Sequence, residues 1–505
     1  MFTSVLIANR GVCAARIMRT AQALGLRVVA VVVADDDAHA GAADSVVVVP
    51  SYLDEAAIVA AAVAEGVDAV HPGYGFLAEN ESFARAVTAA NIVFIGPSPD
   101  QMAAFATKHA ARALAIDAGV QTVPGSGLVA SLDEARAAAV AVGYPVLLKS
   151  TAGGGGTGQA VVENEPDLAA AFDRVCRLAD RLFHDDRVFV EAWVPEARHV
   201  EVQIFGTGSG AVVALGDRDC SAQRRNQKVL EEAPAPGLSP TLRRAMSEAA
   251  VRLCERAGYV NAGTVEFLVD VGRGGDAFYF LEVNTRLQVE HAVTEQILGI
   301  DIVEAQLRTA AGLPVPAIIA AAAAIAAGEL QRHSIQARVY AEDAARDFAP
   351  SSGLLTRVEW PSPSHAPGLR LETCIERAGV RVSPLYDPMI AKVVVTAPTR
   401  DDALDAMAHA LDGVRLDGVE TNVPFLRALV RESDALRDGR LLTRDLPLFP
   451  YLSHTAAVTA APGGSAIVVD LGRPGLWKAG IPPSGASDDL ALRAANHLVG
   501  NDADA

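Results

Sequence analysis

A chain of 505 residues, 50% of them hydrophobic, is too long for one simple core and divides into several domains. Its 61 acidic residues against 43 basic ones leave a formal net charge of −18, which argues against the basic face that a nucleic-acid partner requires, so local basic clusters serve small anions. Five scattered cysteines (Cys13, Cys176, Cys220, Cys254 and Cys374) show no C-x-x-C pair and no secretory pattern, and read as reduced thiols in a cytosol.

The N-terminus, MFTSVLIANRG, lacks the basic start and apolar stretch of a signal peptide. Residues 3–35 predict strand, turn (NRG), helix and strand, a βαβ unit with a parallel sheet. Its turn holds one glycine where a dinucleotide fingerprint needs three, so such a site is poorly supported. The unit continues through VDAVHPGYGFLAEN (67–80) to NIVFIGPS (91–98), with its boundary near residue 107.

A helix from Lys108 leads to the strand YPVLLKS and the loop TAGGGGTGQ (151–159). Four successive glycines exclude a helix or a central strand. The loop reads either as a hinge or as a phosphate flap, and Lys149, at the end of an apolar strand beside bare amides, favours a nucleotide clamp. A Walker loop is excluded because there the lysine follows the glycines.

Two strands follow within 188–205, and in the second His199, Glu201 and Gln203 alternate with Val200, Val202 and Ile204 to give one polar face. The segment 214–236 crowds Arg218, Arg224, Arg225 and Lys228 against Glu231 and Glu232, which reads as a solvated loop or a buried anion site. Next come TVEFLVD (264–270) and EVNTRLQVEH (282–291). In the latter Glu282, Asn284, Arg286, Gln288 and Glu290 recur at every second position, so an extended chain would present them on one side and turn Val283, Leu287 and Val289 inward. If the two strands pair, the oxygens of Glu266, Glu282 and Asn284 converge as magnesium with nucleotide phosphates requires. Arg286, Lys228 and Arg338 are then candidates for holding a small oxyanion, with Glu290 as a base beside it.

The run LPVPAIIAAAAAIAA (313–327) is shorter than the roughly 20 residues a bilayer span needs and predicts a helical connector. Residues 333–445 read as a mixed β and α unit. Beyond it AIVVDLGRPGLWKAGIPPSGASDDLALRAANHLVGN begins a new pattern, too short to bury its own core, which reads as the opening of a cut domain.

Taken in order, ANRG, HPGYGFLAEN, GYPVLLKSTAGGGGTG, RHVEVQIF, RDCSAQRRNQKVLEEAPAP, EVNTRLQVEH and YDPMIAK resemble the biotin carboxylase component of biotin-dependent carboxylases over residues 2–445. The resemblance implies an α/β and α+β chain. It would hold a pre-ATP-grasp βαβ domain (1–107), an ATP-grasp domain (108–328) with a mobile glycine-rich lid over about 121–193, and a biotin carboxylase C-terminal domain (329–445). Residues 446–505 would be a linker and the truncated, mainly-β start of a carboxyltransferase domain.

By the same resemblance Lys108, Lys149, Glu191, His199 and Gln223 contact ATP, and the loop Gly153, Gly154, Gly155, Gly156 and Gly158 covers its phosphates. Glu266, Glu282 and Asn284 hold Mg²⁺ or Mn²⁺. Lys228, Arg286, Gln288 and Val289 position bicarbonate, Glu290 deprotonates it for attack on the γ-phosphate, and Arg338 stabilises the enolate form of biotin. Carboxyphosphate must be kept from water until its CO₂ reaches the ureido nitrogen of biotin. The implied setting is cytoplasmic, with no nucleic acid or membrane partner, and a homodimer through the carboxylase body is the implied assembly.

Three positions depart from the common pattern: Thr157 after the glycines, Val12 in the first helix and Asn226 in QRRNQK. The last, with FATKHAARALAIDAGVQTVPGSGL (105–128), is similar to urea carboxylases and urea amidolyases, so urea or guanidine is the expected acceptor. The tail resembles the start of their carboxyltransferase domain, with Asp488 and Asn496 as marks and Val469-Asp470 where Gln-Asp is usual. No methionine is followed by lysine, so the Met-Lys-Met biotinylation segment is missing and biotin is expected on a carrier domain downstream or on another subunit. An acyl-CoA carboxylase subunit is the alternative enzyme, but it predicts no such tail. A non-catalytic fragment or regulatory scaffold is the alternative of another class, and the intact Lys228, Glu266, Glu282, Arg286, Glu290 and Arg338 speak against it.

Overall fold

The computed structural model describes residues 2–151, 158–183, 186–274, 277–362, 364, 366–451 and 496–497. The chain forms two units, Met1–Ser453 and His454–Ala505. Of the second only Asn496 and His497, both helical, are described, so Asp488, Val469-Asp470 and the expected carboxyltransferase start lie outside the described residues.

The first strands of the larger unit are apolar runs, and they pair in parallel in the order Ser45–Val48, Arg27–Val32, Ser4–Ile7, Ala69–His71, Val93–Phe94. The helices Gly11–Ala23, Glu55–Ala64 and Glu81–Ala89 connect them. Chain order reverses between Ser4–Ile7 and Ala69–His71, the place where the loops after parallel strands diverge to make a crevice. Those two loops are tied together, because the Asn9 side chain donates to the carbonyls of Pro72 (2.7 Å) and Tyr74 (2.9 Å). Gly73 is required at the contact: its φ is +67°, and a Cβ there would collide with Cys13 Sγ and Asn9.

A small antiparallel sheet runs Gly125–Val129, Val188–Ala192, Val146–Ser150, Gln159–Val162, with the helices Leu132–Val142 and Glu165–Phe183 packed on it. The third sheet has eight antiparallel strands in the order Ala277–Asn284, Asn261–Asp270, Ala197–Gly206, Val212–Arg224, Gln227–Ala233, His333–Tyr340, Met389–Ala397, Arg370–Thr373. Residues before and after position 328 share this one ladder, because Gln227–Ala233 pairs with His333–Tyr340.

The charge-rich segment is neither a loop nor solvated. It is the hairpin Val212–Arg224 and Gln227–Ala233, reversed at Arg225 and Asn226, whose φ values of 49° and 64° suit a two-residue turn. Arg225 and Asn226 are exposed at its tip, while Arg218 and Glu231 are fully buried. The alternation in 282–291 holds for the strand only as far as Asn284; Thr285–Glu290 then turns, and a helix runs His291–Leu298. Val283 and Leu287 are buried as alternation predicts. Val289, expected inside on the same ground, is instead half-buried at a cavity wall, because the strand period has ended before it. The alanine-rich connector is the helix Pro316–Ala326, and among the described residues no helix is long and apolar enough to cross a membrane.

Candidate active site

A cavity of about 590 Å³ opens between the small sheet and the large one. Its walls include Lys108, Lys149, Glu191, His199, Gln223, Lys228, Glu266, Glu282, Asn284, Arg286, Gln288, Val289, Glu290 and Arg338. Gly158 is not in the wall; it has φ +75° and its carbonyl accepts the Ser150 N–H at 2.9 Å. Gly153, Gly154, Gly155 and Gly156 lie outside the described residues.

At one end, Lys149 and Glu191 project from adjacent strands of the small sheet and pair at 2.6 Å, and Arg112 reaches the same carboxylate at 3.0 Å. Lys108 opens the helix Lys108–Asp117 beside them. Burial, then the charge of Lys149, pulls the Lys108 ammonium below its ordinary value, so this end would gain from an anion. Gln223 donates to His199 Nδ1 at 2.8 Å, which leaves Nε2 facing Glu266 at 3.1 Å. Burial opposes a charge on His199, but Glu266 outweighs it and raises the imidazole above its usual value.

The middle of the cavity carries the carboxylates. Glu266 and Glu282 are direct cross-strand partners, with Asn284 opposite Thr264 two residues along. Glu266 accepts from Asn284 Nδ2 and from Lys228, each at 3.0 Å. Burial opposes ionisation of Glu266, but Lys228 and His199 hold it far below the usual carboxylate range. Glu282 moves the other way, raised by burial and then by the charge of Glu266. Among the described residues no side-chain hydrogen bond or ion pair engages Glu282. Two clustered carboxylates and an amide oxygen are the donor set a hard divalent cation takes, so these residues fit Mg²⁺ or Mn²⁺. A second cluster, His199, Glu201 and Glu266, brings its donor atoms within 4.8 Å of one another. There the Lys228 ammonium already sits against both carboxylates and fills the place of a cation.

At the other end Lys228 touches three carboxylates: Glu201 at 2.6 Å, Glu290 at 2.7 Å and Glu266 at 3.0 Å. Arg338 grips the second oxygen of Glu290 at 3.0 Å and is itself held by Glu231 at 2.5 Å. Burial disfavours a charged Glu290, yet Lys228, Arg338 and Arg218 overcome it and keep the carboxylate ionised well below its ordinary range. Arg286 is spread between Glu79 (2.8 Å), Asn284 Oδ1 (2.8 Å) and Gln288 Oε1 (3.0 Å). An ionised carboxylate between two cations, beside a forked guanidinium, can hold an oxyanion and take its proton.

Several residues support the site without a role expected for them individually: Arg218 and Glu231 were read only as part of the charged segment, and Glu79 and Arg112 were not singled out. Arg218, wholly buried, donates to Glu201 (2.5 Å), Gln203 (2.7 Å), Thr294 (3.0 Å) and Thr264 (3.1 Å), and so fixes the carboxylate that seats Lys228. It serves a carboxylate of the chain, not a bound anion. Glu231, Glu79 and Arg112 act in the same way on Arg338, Arg286 and Glu191. The alternation of Glu201 with His199 was the visible signal for the first of these sets; Glu79, exposed in a loop of the first domain, had none.

Three family models match in succession: the N-terminal domain of biotin carboxylase at residues 1–102, the ATP-binding domain of the carbamoyl-phosphate synthase L chain at 107–318, and the C-terminal domain of biotin carboxylase at 336–446. Biotin carboxylase 2 of Bacillus subtilis is 44% identical over 88% of this chain and 98% of its own length. The propionyl-CoA carboxylase alpha chain of Ruegeria pomeroyi is 43% identical over 85% of this chain and 66% of its own. Urea amidolyase of Saccharomyces cerevisiae is 43% identical over 99% of this chain, which spans 27% of that protein. The biotin carboxylase domain dimer of the Hydrogenobacter thermophilus 2-oxoglutarate carboxylase, solved with MgADP, ADP and bicarbonate, superimposes with a TM-score of 0.83 at 38% identity, covering 89% of this chain and 98% of that one. The fold is therefore ATP-grasp, and the chain belongs to the biotin carboxylase family of ATP-dependent carboxylases.

Proposed function

We propose that this chain carboxylates biotin on a carrier domain, using ATP and bicarbonate through carboxyphosphate, as the first half-reaction of a urea-type carboxylase acting on urea or guanidine. The observation that carries the half-reaction is Glu290, ionised between Lys228 and Arg338 in the same cavity as the carboxylate pair Glu266 and Glu282. The urea-type acceptor is favoured by the extent of similarity, which runs through the tail for urea amidolyase and covers only 85% of the chain for the propionyl-CoA enzyme.

In this reading Lys108, Lys149, Glu191, His199 and Gln223 bind the nucleotide, with the glycines 153–156 and Gly158 over its phosphates. Glu266, Glu282 and Asn284 hold Mg²⁺ or Mn²⁺, which when bound screens the phosphate charges against these carboxylates. Arg286, Gln288, Val289 and Lys228 orient bicarbonate, and Glu290 removes its proton. The cations that hold Glu290 ionised also make it a weak base, so bicarbonate must draw Lys228 onto its own oxygens as the proton moves. Arg338 then turns to the enolate oxygen of biotin. The domain limits 107/108 and 328/329, a cytoplasmic setting, a homodimer, and a downstream or separate carrier and carboxyltransferase complete the proposal.

The test is bicarbonate-dependent ADP formation with free biotin. Wild type should respond to both, and Lys228→Ala should lose about 10²-fold or more, as removal of one preorganised charge does. An unchanged rate in Lys228→Ala refutes the assignment, and a wild type that responds to neither substrate supports a non-catalytic scaffold.

A further inference from the structure

Behind the Gln288–Glu290 segment lies a buried charged cluster that no step above uses. Lys392, fully buried on the strand Met389–Ala397, donates to the Val289 carbonyl at 2.8 Å and pairs with Glu372. In the ladder Lys392 stands directly opposite Arg338 on one side and Glu372 on the other. Two neighbouring strands thus grip successive residues at one level: Arg338 takes the Glu290 carboxylate and Lys392 the Val289 carbonyl. His291 adds a third hold, its Nδ1 at 2.7 Å from the Gln288 carbonyl.

Neither Lys392 nor His291 lines the cavity, so both carbonyls are tied to groups outside its wall. These peptides are trans, and a trans peptide sets its N–H opposite its C=O. The amides of Val289 and Glu290 therefore turn away from Lys392 and His291, and among the described residues neither donates to a protein acceptor.

The charges of the cluster balance. Arg16, Arg370 and Lys392 face Glu295, Glu372 and Asp301, with Arg16 at 2.9 Å from Glu295 and from Asp301, and Arg370 at 2.7 Å from Glu295. His291, Glu295 and Glu372 converge as metal ligands could, but three cations already neutralise these carboxylates. A buried pair of this kind is weak evidence for stability, since an apolar pair of similar size often serves as well. Its geometry against the segment is what needs explaining.

We propose that Lys392, balanced by Glu372, is a positioning residue for bicarbonate: by fixing the Val289 carbonyl it points the Glu290 amide and the Glu290 carboxylate at the anion, while His291, through the Gln288 carbonyl, sets the Val289 amide beside them. This rests on the reading of Gln288–Glu290 as the bicarbonate segment. The informative variant of the whole chain is Lys392→Met/Glu372→Gln, which removes both charges and leaves no uncompensated ion. The KM for bicarbonate should rise about tenfold, as loss of a charged hydrogen bond predicts, while the KM for ATP stays within about twofold. Hydrogen exchange at residues 288–290 should quicken in the same variant. Wild-type bicarbonate KM and kcat in the folded double variant overturn the proposal. If the double variant does not accumulate, Lys392→Arg, which keeps the charge but displaces the donor, is read by the same criteria. If wild type itself shows no bicarbonate dependence, the bicarbonate reading falls, and the exchange result alone decides the clamp: unchanged exchange overturns it and faster exchange supports it.

Discussion

Lys149 and Glu191 enter the cavity from the four-stranded sheet, whereas His199, Lys228, Glu266, Glu282 and Arg338 stand on neighbouring strands of the eight-stranded one. Within the large sheet, separations are set by register, and cross-strand side chains sit about 4.5–5.5 Å apart whatever else moves. Distances from the small sheet to the large one follow from no shared ladder and can adjust to what lies between. The end around Glu290 is thus preorganised, and the end proposed for the nucleotide is assembled from two sheets.

That contrast can be broken by experiment. The largest effect is expected for Glu290→Gln, which keeps the shape and removes the proposed base: bicarbonate-dependent ADP formation should fall about 10²–10⁴-fold with little change in KM for ATP. A small loss there would mean that the ionised group between Lys228 and Arg338 is not the proton acceptor. Lys149→Met should act on the other sheet only, raising the KM for ATP about 10–100-fold while the KM for bicarbonate stays put. If both constants moved together, the two ends would not be separable. The smallest effect concerns stability in acid and belongs to the five-stranded parallel sheet. Burial lowers the His71 imidazole from 6.5 to about 3, and its Nδ1 accepts the Gly73 N–H at 3.0 Å. Between those values the unfolded chain binds the extra proton, so stability due to His71 is fully present above pH 6.5 and declines as pH falls toward 3. By pH 5.5 the loss should be about 1.4 kcal/mol, and the pH slope of urea denaturation should flatten by that amount in His71→Gln.

What the sequence revealed of the site follows the same division of local from distant. Glu266, Glu282 and Asn284 were legible because alternation within two strands and a short connection fix their pairing. Lys149 was legible from its place between an apolar strand and four glycines. The partners Glu231 with Arg338 and Val289 with Lys392 are 107 and 103 residues apart, and no local pattern reports a register set at that range. The segment 214–236 was legible only in part: burial was one of its two readings, but charge density does not tell a bound anion from internal pairs, and here arginines and glutamates neutralise one another inside a hairpin. Val289 escapes the alternation because the strand stops at Asn284, in keeping with the family resemblance, which puts the later residues at a strand end or loop.

The shared ladder across position 328 also constrains how such a protein can be made. The strand Gln227–Ala233 emerges from the ribosome about a hundred residues before its neighbour His333–Tyr340, so until then it is an edge with open backbone groups. For the same interval Glu231 lacks Arg338, and burying it would strand a negative charge, while Glu290 has only Lys228 of its two cations. The nascent chain must therefore postpone closing its own catalytic core, and a gene cut at that boundary would yield two halves, neither of which can finish its sheet alone.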